Sequence, residues 1–439
     1  MTENTMQKST PHIIRTIGGA SIGNVLEWYD FGVYAFFAVV ISKVIFGGIF
    51  AALLLTFLAY GIGFVLRPVG SGFFAQIGDR MGRKNALLLT FWVMGAGTIL
   101  TGLIPTYAVI GIFAPIILTL ARVIQGFGAG GEWGGAGVYL AELGGKTKRG
   151  FYSSLQQTFV LASVLIAILT GLVVDAQPSS FVDSIGWRLP FIIGGIILIP
   201  LSFYLRSKMP ETQDFENLKY DKKVIKSPVK KAFTKDLRIT LIVLFGTAGV
   251  TAEFYILVEY IASFIETTTN LGVSVSFYVP AVIEIAMLPM IPIFGYLSDK
   301  WKTRKKLFWI GTLGAIIVVF PEFILIGTGN LIAIYGISVI TGVLLAVGAG
   351  TLVAFIGEQF PTNDRYSGYI SYNIAASYFG GFGPFVATAL ILVVHNNLAP
   401  AIWVVVVGVI SLIAIYFSKE TGHLEKLPEE TSLYVESKS

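Results

Sequence analysis

The sequence predicts an all-α membrane protein with twelve transmembrane helices in two pseudo-symmetric six-helix halves. The first observation is composition: the 439 residues are 54% hydrophobic and 13% charged, with a mean hydropathy of +0.76. A soluble domain carries roughly a quarter charged residues. The second observation is that apolar runs near the roughly 20 residues needed to cross a bilayer recur along the chain. The third is that Lys and Arg are concentrated in every second loop between these runs.

The apolar runs number twelve, and each is predicted to form one transmembrane span. In chain order, spans 1 to 12 cover residues 18–42, 51–77, 86–104, 112–142, 152–175, 188–206, 239–265, 273–297, 307–326, 331–358, 367–394 and 400–418. One long polar stretch separates span 6 from span 7. The predicted organisation is an N-terminal half, a cytoplasmic linker, a C-terminal half and a cytoplasmic tail, at residues 1–206, 207–238, 239–418 and 419–439.

The basic residues predict the orientation of the chain in the membrane. Of the 31 Lys and Arg, 27 lie in the N-terminal segment, in loops that follow even-numbered spans, or in the tail. Because cytoplasmic loops carry the excess of Lys and Arg, both termini and these loops are predicted to be cytoplasmic, in a plasma (inner) membrane. This placement accounts for the net charge of +5 without a nucleic-acid partner. The polar N-terminus leads directly into an apolar run, so no cleavable signal peptide is predicted.

The residue types that several classes of enzyme need are missing from the sequence. There is no cysteine, and the three histidines, His12, His395 and His423, lie near predicted span ends. No metal site, nucleophile–base constellation or phosphate-binding loop is recognisable. The sequence therefore predicts neither an enzyme nor a cofactor, metal or nucleotide partner, and it excludes ATP-driven transport by this chain alone.

Two basic loops indicate an internal repeat. GDRMGRK follows span 2 and GYLSDKWKTRKK follows span 8, so that Asp79 and Asp299 lie 220 residues apart. An acid at a helix end beside basic residues can hold one end of a transporter closed, which makes Asp79, Arg80 and Arg83 candidate gating residues. The second copy replaces a Gly–Arg pair by a run of Lys and Arg, so the first copy is predicted to form the stronger latch. A basic loop with a tight glycine turn is the simpler alternative.

A second pair of segments recurs at the ends of spans 4 and 10. Glu142 precedes Arg149 by seven residues and Glu358 precedes Arg365 by seven, at an offset of 216. Two similar offsets predict two homologous halves. Transporters built from such repeats bind solute near the membrane midplane and rock one half against the other. These four residues and Asp299 complete the set of candidate gating residues.

Span 1 contains two carboxylates, Glu27 and Asp30, in the string GNVLEWYDF at 23–31. Ionisable groups within hydrocarbon are costly, and they usually face the interior of a helix bundle along a solute or proton path. Residues three apart share one face of a helix. Both acids are therefore predicted to face the same cavity.

Span 4 carries the glycine-rich string ARVIQGFGAGGEWGGAGVYLAE. Small residues allow membrane helices to approach closely, so the glycines predict packing rather than chemistry. Arg122, Gln125 and Glu132 fall within about 80° of one another on a helical wheel and form one inward-facing stripe. An arginine at this depth indicates a function or a buried ion pair.

Acids outnumber arginines near the predicted midplane. Because burial disfavours the charged form of a carboxylate, at least one of these acids is expected to bind protons reversibly. The candidate proton-coupling residues are Glu27, Asp30, Glu132, Glu253 and Glu284. The alternative for any one of them is a static ion pair with Arg67 or Arg122.

Arg122 and Arg67 are the candidate anchors for a solute carboxylate, because a guanidinium group binds a carboxylate through two parallel hydrogen bonds. Arg67 precedes Pro68, which interrupts helical hydrogen bonding, so a structural hinge is the alternative there. The other candidate solute-binding residues are polar or aromatic: Gln125, Tyr29, Tyr255, Tyr372 and Asn373. Aromatic side chains beside acids can enclose a quaternary ammonium group, or they can pack against lipid or a neighbouring helix.

The motifs taken together resemble those of one transporter family. GNVLEWYDF, GFVLRPVG, GDRMGRK, RVIQGFGAGGEWGGA, PETQDF, FPTNDRYSGYISYN and FGGFGP occur in this order across both halves. The combination is similar to the metabolite:proton symporter family of the major facilitator superfamily. The resemblance implies the major facilitator fold, a central cavity and proton-coupled transport of organic acids, proline or betaines. Two positions depart from the family pattern: Ala75 replaces a glycine in the loop signature, and Gln213 replaces a proline after span 6.

The favoured function is secondary active symport of a small organic acid with protons, by a protein that is expected to be monomeric. A second interpretation keeps the fold and assigns a zwitterionic osmolyte such as proline or betaine. The tail after about residue 419 lacks the heptad pattern of a coiled coil, which argues against the osmosensing type of such carriers. An exporter of the same fold stays open, because the residues do not specify direction. A membrane receptor or an intramembrane enzyme is disfavoured.

Overall fold

The helices of the protein follow the predicted spans in order. The structure, a computed structural model, describes residues 10–48, 51–81, 83–130, 132–145, 147–207, 234, 236–360 and 365–423, and no strand occurs among them. Within this part, nine helices are long and apolar enough to cross a membrane. A tenth span is the bent pair Ile17–Phe36 and Ala38–Val44, and two shorter apolar helices, Leu88–Leu103 and Gly186–Leu201, match predicted spans 3 and 6.

The spans keep the numbers given above. Their helices are Thr10–Phe36 and Ala38–Val44 (span 1), Ala52–Val65 and Arg67–Met81 (span 2), Arg83–Leu103 (span 3), Phe113–Ala129 and Glu132–Leu143 (span 4), Arg149–Asp175 (span 5), Leu189–Ser207 (span 6), Leu237–Phe254 and Ile261–Thr268 (span 7), Val273–Lys300 (span 8), Lys305–Thr328 (span 9), Leu331–Gln359 (span 10), Arg365–Ala375 and Gly383–Val394 (span 11) and Ala399–Tyr416 (span 12). Short helices at Tyr107–Ile110 and Ser179–Ser184 and a 3-10 turn at Gly186–Arg188 lie in the loops after spans 3 and 5.

Three spans contain interruptions that bear on the site. Span 2 breaks at Leu66, directly before Arg67 and Pro68, because proline has no N–H to continue the helical hydrogen bonds. Spans 7 and 11 each contain a π-helical segment, at Tyr255–Tyr260 and Ala376–Gly381. Such wide turns are rare in proteins and occur frequently at functional sites. The Cα of Gly380 faces the ring of Tyr255, so the two π-helical segments are in contact.

Glycines set the closest helix crossings in both halves. A Cβ atom on Gly126 of span 4 would overlap the carbonyl group of Gly63 in span 2. In the other half, a Cβ atom on Gly342 of span 10 would collide with the carbonyl oxygen of Ile283 in span 8. Small residues at these crossings allow backbone-to-backbone contact between membrane helices. The packing role that the sequence predicts for the span 4 glycines is confirmed at Gly126.

The two halves meet along spans 5 and 8. The Cα of Gly295 faces Ser154 and the carbonyl of Gly150, near the end of the bundle where the chain leaves span 6 for the linker. This end is called the linker end, and the opposite one the distal end. Near the distal end, the ring of Phe277 packs on Gly171. The residue boundaries of the two halves stay a prediction.

Candidate functional site

A buried ion pair joins spans 1 and 4. Arg122 Nη1 lies 2.6 Å from Asp30 Oδ2, and neither residue is more than 3% exposed. Gln125 Nε2 donates hydrogen bonds to Asp30 Oδ1 (3.0 Å) and to Thr98 Oγ1 (2.9 Å). The structure thus brings Asp30, Arg122 and Gln125 into one contact, which also reaches span 3.

Aromatic rings enclose the guanidinium group of Arg122. Its Cζ atom lies 4.1 Å from the ring centre of Tyr34, 5.6 Å from that of Phe191 and 5.8 Å from that of Phe31. A cation over the face of an aromatic ring is attracted by the ring electrons, more strongly where water is excluded. All of these residues belong to spans 1, 4 and 6, so the Asp30–Arg122 pair lies inside the N-terminal half.

A second ion pair faces the C-terminal half. Arg67 Nη1 lies 2.7 Å from Glu27 Oε1, and both residues are buried. The Arg67 guanidinium also interacts electrostatically with Tyr255, Glu259 and Tyr372 of the other half. Its Nε and Nη2 have no hydrogen-bond partner in the described part of the chain. Two of its three nitrogens are therefore available to a further acceptor.

The central cavity lies between the halves. It is lined by residues of spans 1, 5, 7, 8, 10 and 11: Trp28, Gln157, Val160, Val250, Thr251, Phe254, Tyr255, Met287, Leu345, Ala349, Leu352 and Tyr372. The space open to the centre of a water-sized sphere is about 20 Å³, enough for roughly one water molecule. The ring of Trp28 meets those of Phe254 and Tyr255, at centroid distances of 5.6 and 6.0 Å.

Five of the seven candidate solute-binding residues lie outside the lining of this cavity: Arg67, Arg122, Gln125, Tyr29 and Asn373. Tyr29 donates a hydrogen bond to the carbonyl oxygen of Pro190 (3.1 Å), and its ring packs on Gly194, so it fixes span 1 to span 6. Asn373 Nδ2 donates to the carbonyl oxygen of Gly130 (3.3 Å) and joins span 11 to span 4. Tyr255 and Tyr372, by contrast, line the cavity.

The remaining candidate proton-coupling residues are all buried. Glu132 lies against Gly23 of span 1 and interacts electrostatically with Glu27. Glu253 Oε1 and both carboxylate oxygens of Glu284 have no hydrogen-bond partner in the part of the chain that the structure describes.

The distal end is closed by contacts between the halves. The Tyr60 hydroxyl of span 2 donates a hydrogen bond to Glu259 Oε2 in the π-helical segment of span 7. Further from this end, in the middle of spans 2 and 11, Ser377 Oγ donates to the carbonyl oxygen of Phe64 (2.9 Å). Ser274 Oγ donates to Asp175 Oδ2 (3.1 Å) between spans 8 and 5.

The linker end is closed by a charged cluster. Arg149 Nη1 of span 5 lies 3.2 Å from Glu358 Oε1 of span 10. Arg304 lies between the two acids of this cluster, with Nε 3.2 Å from Glu358 Oε2 and Nη2 2.6 Å from Asp299 Oδ1. The Asp299 carboxylate also accepts hydrogen bonds from the N–H groups of Gly150 and Phe151, each at 2.8 Å. An anion at a helix N-terminus is stabilised by the free N–H groups and the helix dipole.

This cluster includes the second copy of the basic loop, in which Asp299 binds both Arg304 and the start of span 5. The side chains of the first copy lie outside the described part of the chain, so the predicted order of latch strength stays a prediction. The cation of the contact with Asp299 is Arg304, which belongs to the run of Lys and Arg in the second copy. Although burial opposes its charge, the carboxylates of Glu358 and Asp299 raise the pKa of Arg304. The side chains of the other gating candidates fall outside the described part: Asp79, Arg80, Arg83, Glu142 and Arg365.

The start of the tail binds the same cluster. Glu420 accepts hydrogen bonds from the N–H of Arg304 (2.6 Å) and from Thr303 Oγ1 (2.8 Å). Thr421 Oγ1 donates to Glu358 Oε2 (2.8 Å). Partial burial would raise the pKa of the Glu420 carboxyl, but the hydrogen bonds from Arg304, Gly422 and Thr303 outweigh burial and lower it.

Sequence comparison places this architecture in a family. The sequence profile of the Major Facilitator Superfamily matches residues 20–384 and 285–435. The chain belongs to the major facilitator superfamily. It is 34% identical to the inner membrane metabolite transport protein YhjE of Escherichia coli K12, over 92% of this chain and 93% of that protein. It is 31% identical to the citrate-proton symporter of Klebsiella pneumoniae, with the same coverage. It is 32% identical to the proline/betaine transporter of Escherichia coli K12, over 93% of this chain and 84% of that protein.

A solved structure agrees with this membership. The proton:xylose symporter XylE matches with a TM-score of 0.76, over 96% of this chain and 98% of that one, at 18% identity. At this identity the likeness shows the fold. The predicted major facilitator fold is confirmed, as is the resemblance that the motifs indicate. Members and relatives are transporters, so the protein is a multi-pass membrane transporter.

Proposed function

We propose that this transporter couples the movement of a small carboxylate-bearing metabolite to that of protons, by alternating access. The observation that carries the proposal is the buried Asp30–Arg122 ion pair. Citrate, proline and betaine, the solutes named for two relatives, all carry a carboxylate. In this ion pair, the charge of the Asp30 carboxylate would control the contact between spans 1 and 4.

Asp30 is the proposed coupling residue. Protonation of its carboxyl group would remove the negative charge that holds Arg122. The buried Arg122 would then lack its partner, which costs about 3–5 kcal/mol. Spans 1 and 4 would therefore separate far more easily when Asp30 carries a proton. Gln125 bridges Asp30 and Thr98, and it would keep the neutral carboxyl group in place.

Arg67 is the proposed solute anchor. Its neighbours Tyr255 and Tyr372 line the central cavity, and its Nε and Nη2 are available for the two parallel hydrogen bonds that a carboxylate accepts. Arg122 lies deeper in the N-terminal half, among the rings of Tyr34, Phe31 and Phe191. Arg122 Nε and Nη2 also lack a hydrogen-bond partner in the described part of the chain, and Arg67 also lies over aromatic rings. The electrostatic interaction with Tyr255 and Tyr372 of the other half distinguishes Arg67, so we assign solute binding to Arg67 and coupling to Arg122.

The aromatic lining supports a zwitterionic osmolyte as the second candidate. Trp28, Phe254, Tyr255 and Tyr372 all face the central cavity. Aromatic faces bind quaternary ammonium groups. A betaine would place its carboxylate on Arg67 and its ammonium group among these rings.

The linker end is proposed to be cytoplasmic in the inner membrane. Basic residues such as Lys300, Lys302 and Lys306 lie at this end, as the positive-inside rule requires of cytoplasmic loops. The relative YhjE is an inner membrane protein by name. The charged cluster at the linker end, with Arg149, Asp299 and Glu358, is then the cytoplasmic gate of a protein that works as a monomer.

The test uses purified protein in liposomes that contain a pH-sensitive dye. Di- and tricarboxylates, aromatic acids, proline and betaine are added outside, one at a time. Acidification of the lumen with one class supports proton symport and identifies the solute. Counterflow of a solute with no proton movement for any compound would contradict the proposal.

Asp30→Asn separates coupling from binding. We expect this variant to retain solute counterflow and to lose accumulation driven by a pH gradient. The matched control is Asp183→Asn, which removes an acid from the exposed pair with Lys43 at the distal end. Unchanged accumulation by Asp30→Asn would exclude Asp30 from coupling.

A further inference from the structure

A pair of acids in the C-terminal half is not used by the mechanism above. Glu259 belongs to the π-helical segment of span 7, and Glu284 lies in the middle of span 8. Both side chains are fully buried, with 0% exposure. Glu284 lies within electrostatic reach of Glu259.

The hydrogen bonding of the pair is incomplete. Glu259 Oε2 accepts the hydrogen bond from the Tyr60 hydroxyl, across the boundary between the halves. Glu259 Oε1 and both oxygens of Glu284 have no hydrogen-bond partner in the part of the chain that the structure describes. The Tyr255 hydroxyl, in the same π-helical segment, also lacks one. Buried polar atoms without partners are rare in proteins, and at such a site they indicate a bound ion, a water molecule or a proton.

The charges around the pair do not balance two carboxylates. Arg67 is the cation that acts on Glu259, and it is already in contact with Glu27. Within the described residues, the other titratable groups that face the pair are Tyr60 of span 2 and Tyr255 of span 7, both neutral at physiological pH. An ionised carboxylate without a paired cation is very costly in such an environment. Two ionised carboxylates within electrostatic reach of each other would add their mutual repulsion.

We propose that Glu259 and Glu284 form a second proton-carrying site, which is closed towards the distal side by the hydrogen bond between Tyr60 and Glu259. In the closed form at least one proton resides on the pair. When the distal end opens, the Tyr60 hydroxyl separates from Glu259 and water reaches both carboxyl groups. A proton is exchanged with distal water in that form and with water of the linker side in the opposite form, and no other bond changes.

This inference rests on the proposed proton symport, and it adds one proton per transport cycle to that of Asp30. The two protons have separate gates, because Asp30 lies inside the N-terminal half and Glu259 lies at the boundary between the halves. Transport by a carrier with two such sites responds more steeply to a pH gradient than transport by a carrier with one.

The first test observes the proton directly. Infrared difference spectra of the protein in lipid, recorded between acidic and alkaline pH, report the C=O stretch of protonated carboxyl groups. We expect Glu259→Gln and Glu284→Gln each to remove intensity from this band. Tyr60→Phe keeps the ring packing but lacks the hydroxyl group. It should shift the band and accelerate its exchange in deuterated water. If the band of all three variants has the same position, intensity and exchange rate as that of the wild type, the inference is overturned.

The second test counts protons per solute, with the compound that gives the largest signal in the liposome panel. We expect the ratio to fall by one in the double variant with Glu259→Gln and Glu284→Gln, which leaves no carboxyl group for this proton, while transport stays coupled through Asp30. Glu322→Gln is the matched control, because Glu322 is a buried acid of span 9 whose oxygens accept hydrogen bonds from Ser338 and Thr341. An unchanged ratio in the double variant, or transport that requires sodium, would contradict a second proton site.

The two proposals fail in distinguishable ways. If Asp30 couples transport but the carboxyl band and the proton ratio do not respond to Glu259 and Glu284, the second site is absent and the symport mechanism stands. If no compound moves protons, the symport mechanism fails, whatever the infrared spectra show.

Discussion

At the residue scale, the two buried arginines that pair with acids of span 1 differ in the contacts they make with the other half. Both guanidinium groups lie over rings of their own half, Tyr34 for Arg122 and Phe64 for Arg67. Arg67 also interacts electrostatically with Tyr255, Tyr372 and Glu259 of the other half. A group that contacts both halves responds to every change in their relative position. A solute bound to Arg67 would therefore change contacts in both halves.

We expect Arg67→Lys to weaken solute binding while leaving the protein folded. Lysine keeps the charge beside Glu27 but lacks the planar fork that binds a carboxylate in two places. Loss of one charge-assisted hydrogen bond costs about 1.5–3 kcal/mol, so the KM for solute should rise roughly ten- to a hundredfold. Initial rates of uptake at varied solute concentration check this. An unchanged KM would remove Arg67 from the solute site.

The sequence identifies some of these residues and misses others for a physical reason. Glu27, Asp30 and Arg122 stand out because a charge within an apolar span is costly wherever it occurs. Arg304 is hidden in a run of five Lys and Arg, and only the contact with Glu358, 54 residues further along the chain, distinguishes it. Glu259 is visible as an acid in span 7, but its partner Tyr60 lies 199 residues away.

At the scale of the helices, glycine positions decide how closely spans can pack. Composition and charge were sufficient to predict twelve spans, and the Arg67–Pro68 string was sufficient to predict the break in span 2. The π-helical segments of spans 7 and 11 could not be predicted, because no local signal in the sequence separates a π-helical turn from an α-helical one. They are stabilised by contacts with other spans, such as that of Gly381 with the ring of Phe64.

We expect Gly126→Ala to destabilise the fold by about 3 kcal/mol or more, because the new methyl group would overlap the backbone of Gly63. Gly336→Ala is the matched control, since this glycine lies in span 10 with open space around it. The control should melt at or slightly above the wild-type temperature, because alanine favours the helix. Thermal unfolding in detergent compares the two. Equal melting temperatures would show that the crossing of spans 2 and 4 tolerates a wider separation.

At the scale of the whole molecule, the described residues place contacts between the halves towards both ends of the bundle. Towards the distal end they are a few hydrogen bonds and aromatic contacts, among them Tyr60–Glu259 and Ser274–Asp175. The linker end is held by a cluster of four charged side chains and by the start of the tail. Charged pairs that exclude water are costly to separate. The linker end should therefore be the harder one to open.

We expect Glu358→Gln to favour opening at the linker end, because it removes the charge that holds Arg149 and Arg304. The chain contains no cysteine, so Ser154→Cys provides a single reporter, buried where spans 5 and 8 meet. Maleimide labelling of this cysteine should accelerate several-fold in the Glu358→Gln background. The control background is Asp183→Asn at the distal end. Equal labelling rates in the two backgrounds would contradict a gating role for Glu358.

Docking of the tail should depend on pH in a defined direction. The pKa of Glu420 is lowered below its ordinary value of 4.5, so its contribution to stability is fully present above about pH 4.5. That contribution is lost as the pH falls through the lower value of the folded state. We expect the difference in melting temperature between wild type and Glu420→Gln to be constant from pH 5 to pH 8 and to shrink in more acidic solution. A difference that grows on acidification would contradict this assignment.

The π-helical segment of span 7 has a consequence for how this carrier can change during evolution. Inserting one residue into an α-helix turns every side chain beyond it by about 100°. A π-helical turn accommodates that extra residue locally, within one widened turn. Deleting one residue between Tyr255 and Tyr260 would restore a regular helix and rotate Glu259 away from Tyr60. A single-codon insertion or deletion is thus sufficient to add or remove an acid at the boundary between the halves, while the rest of the bundle keeps its sequence.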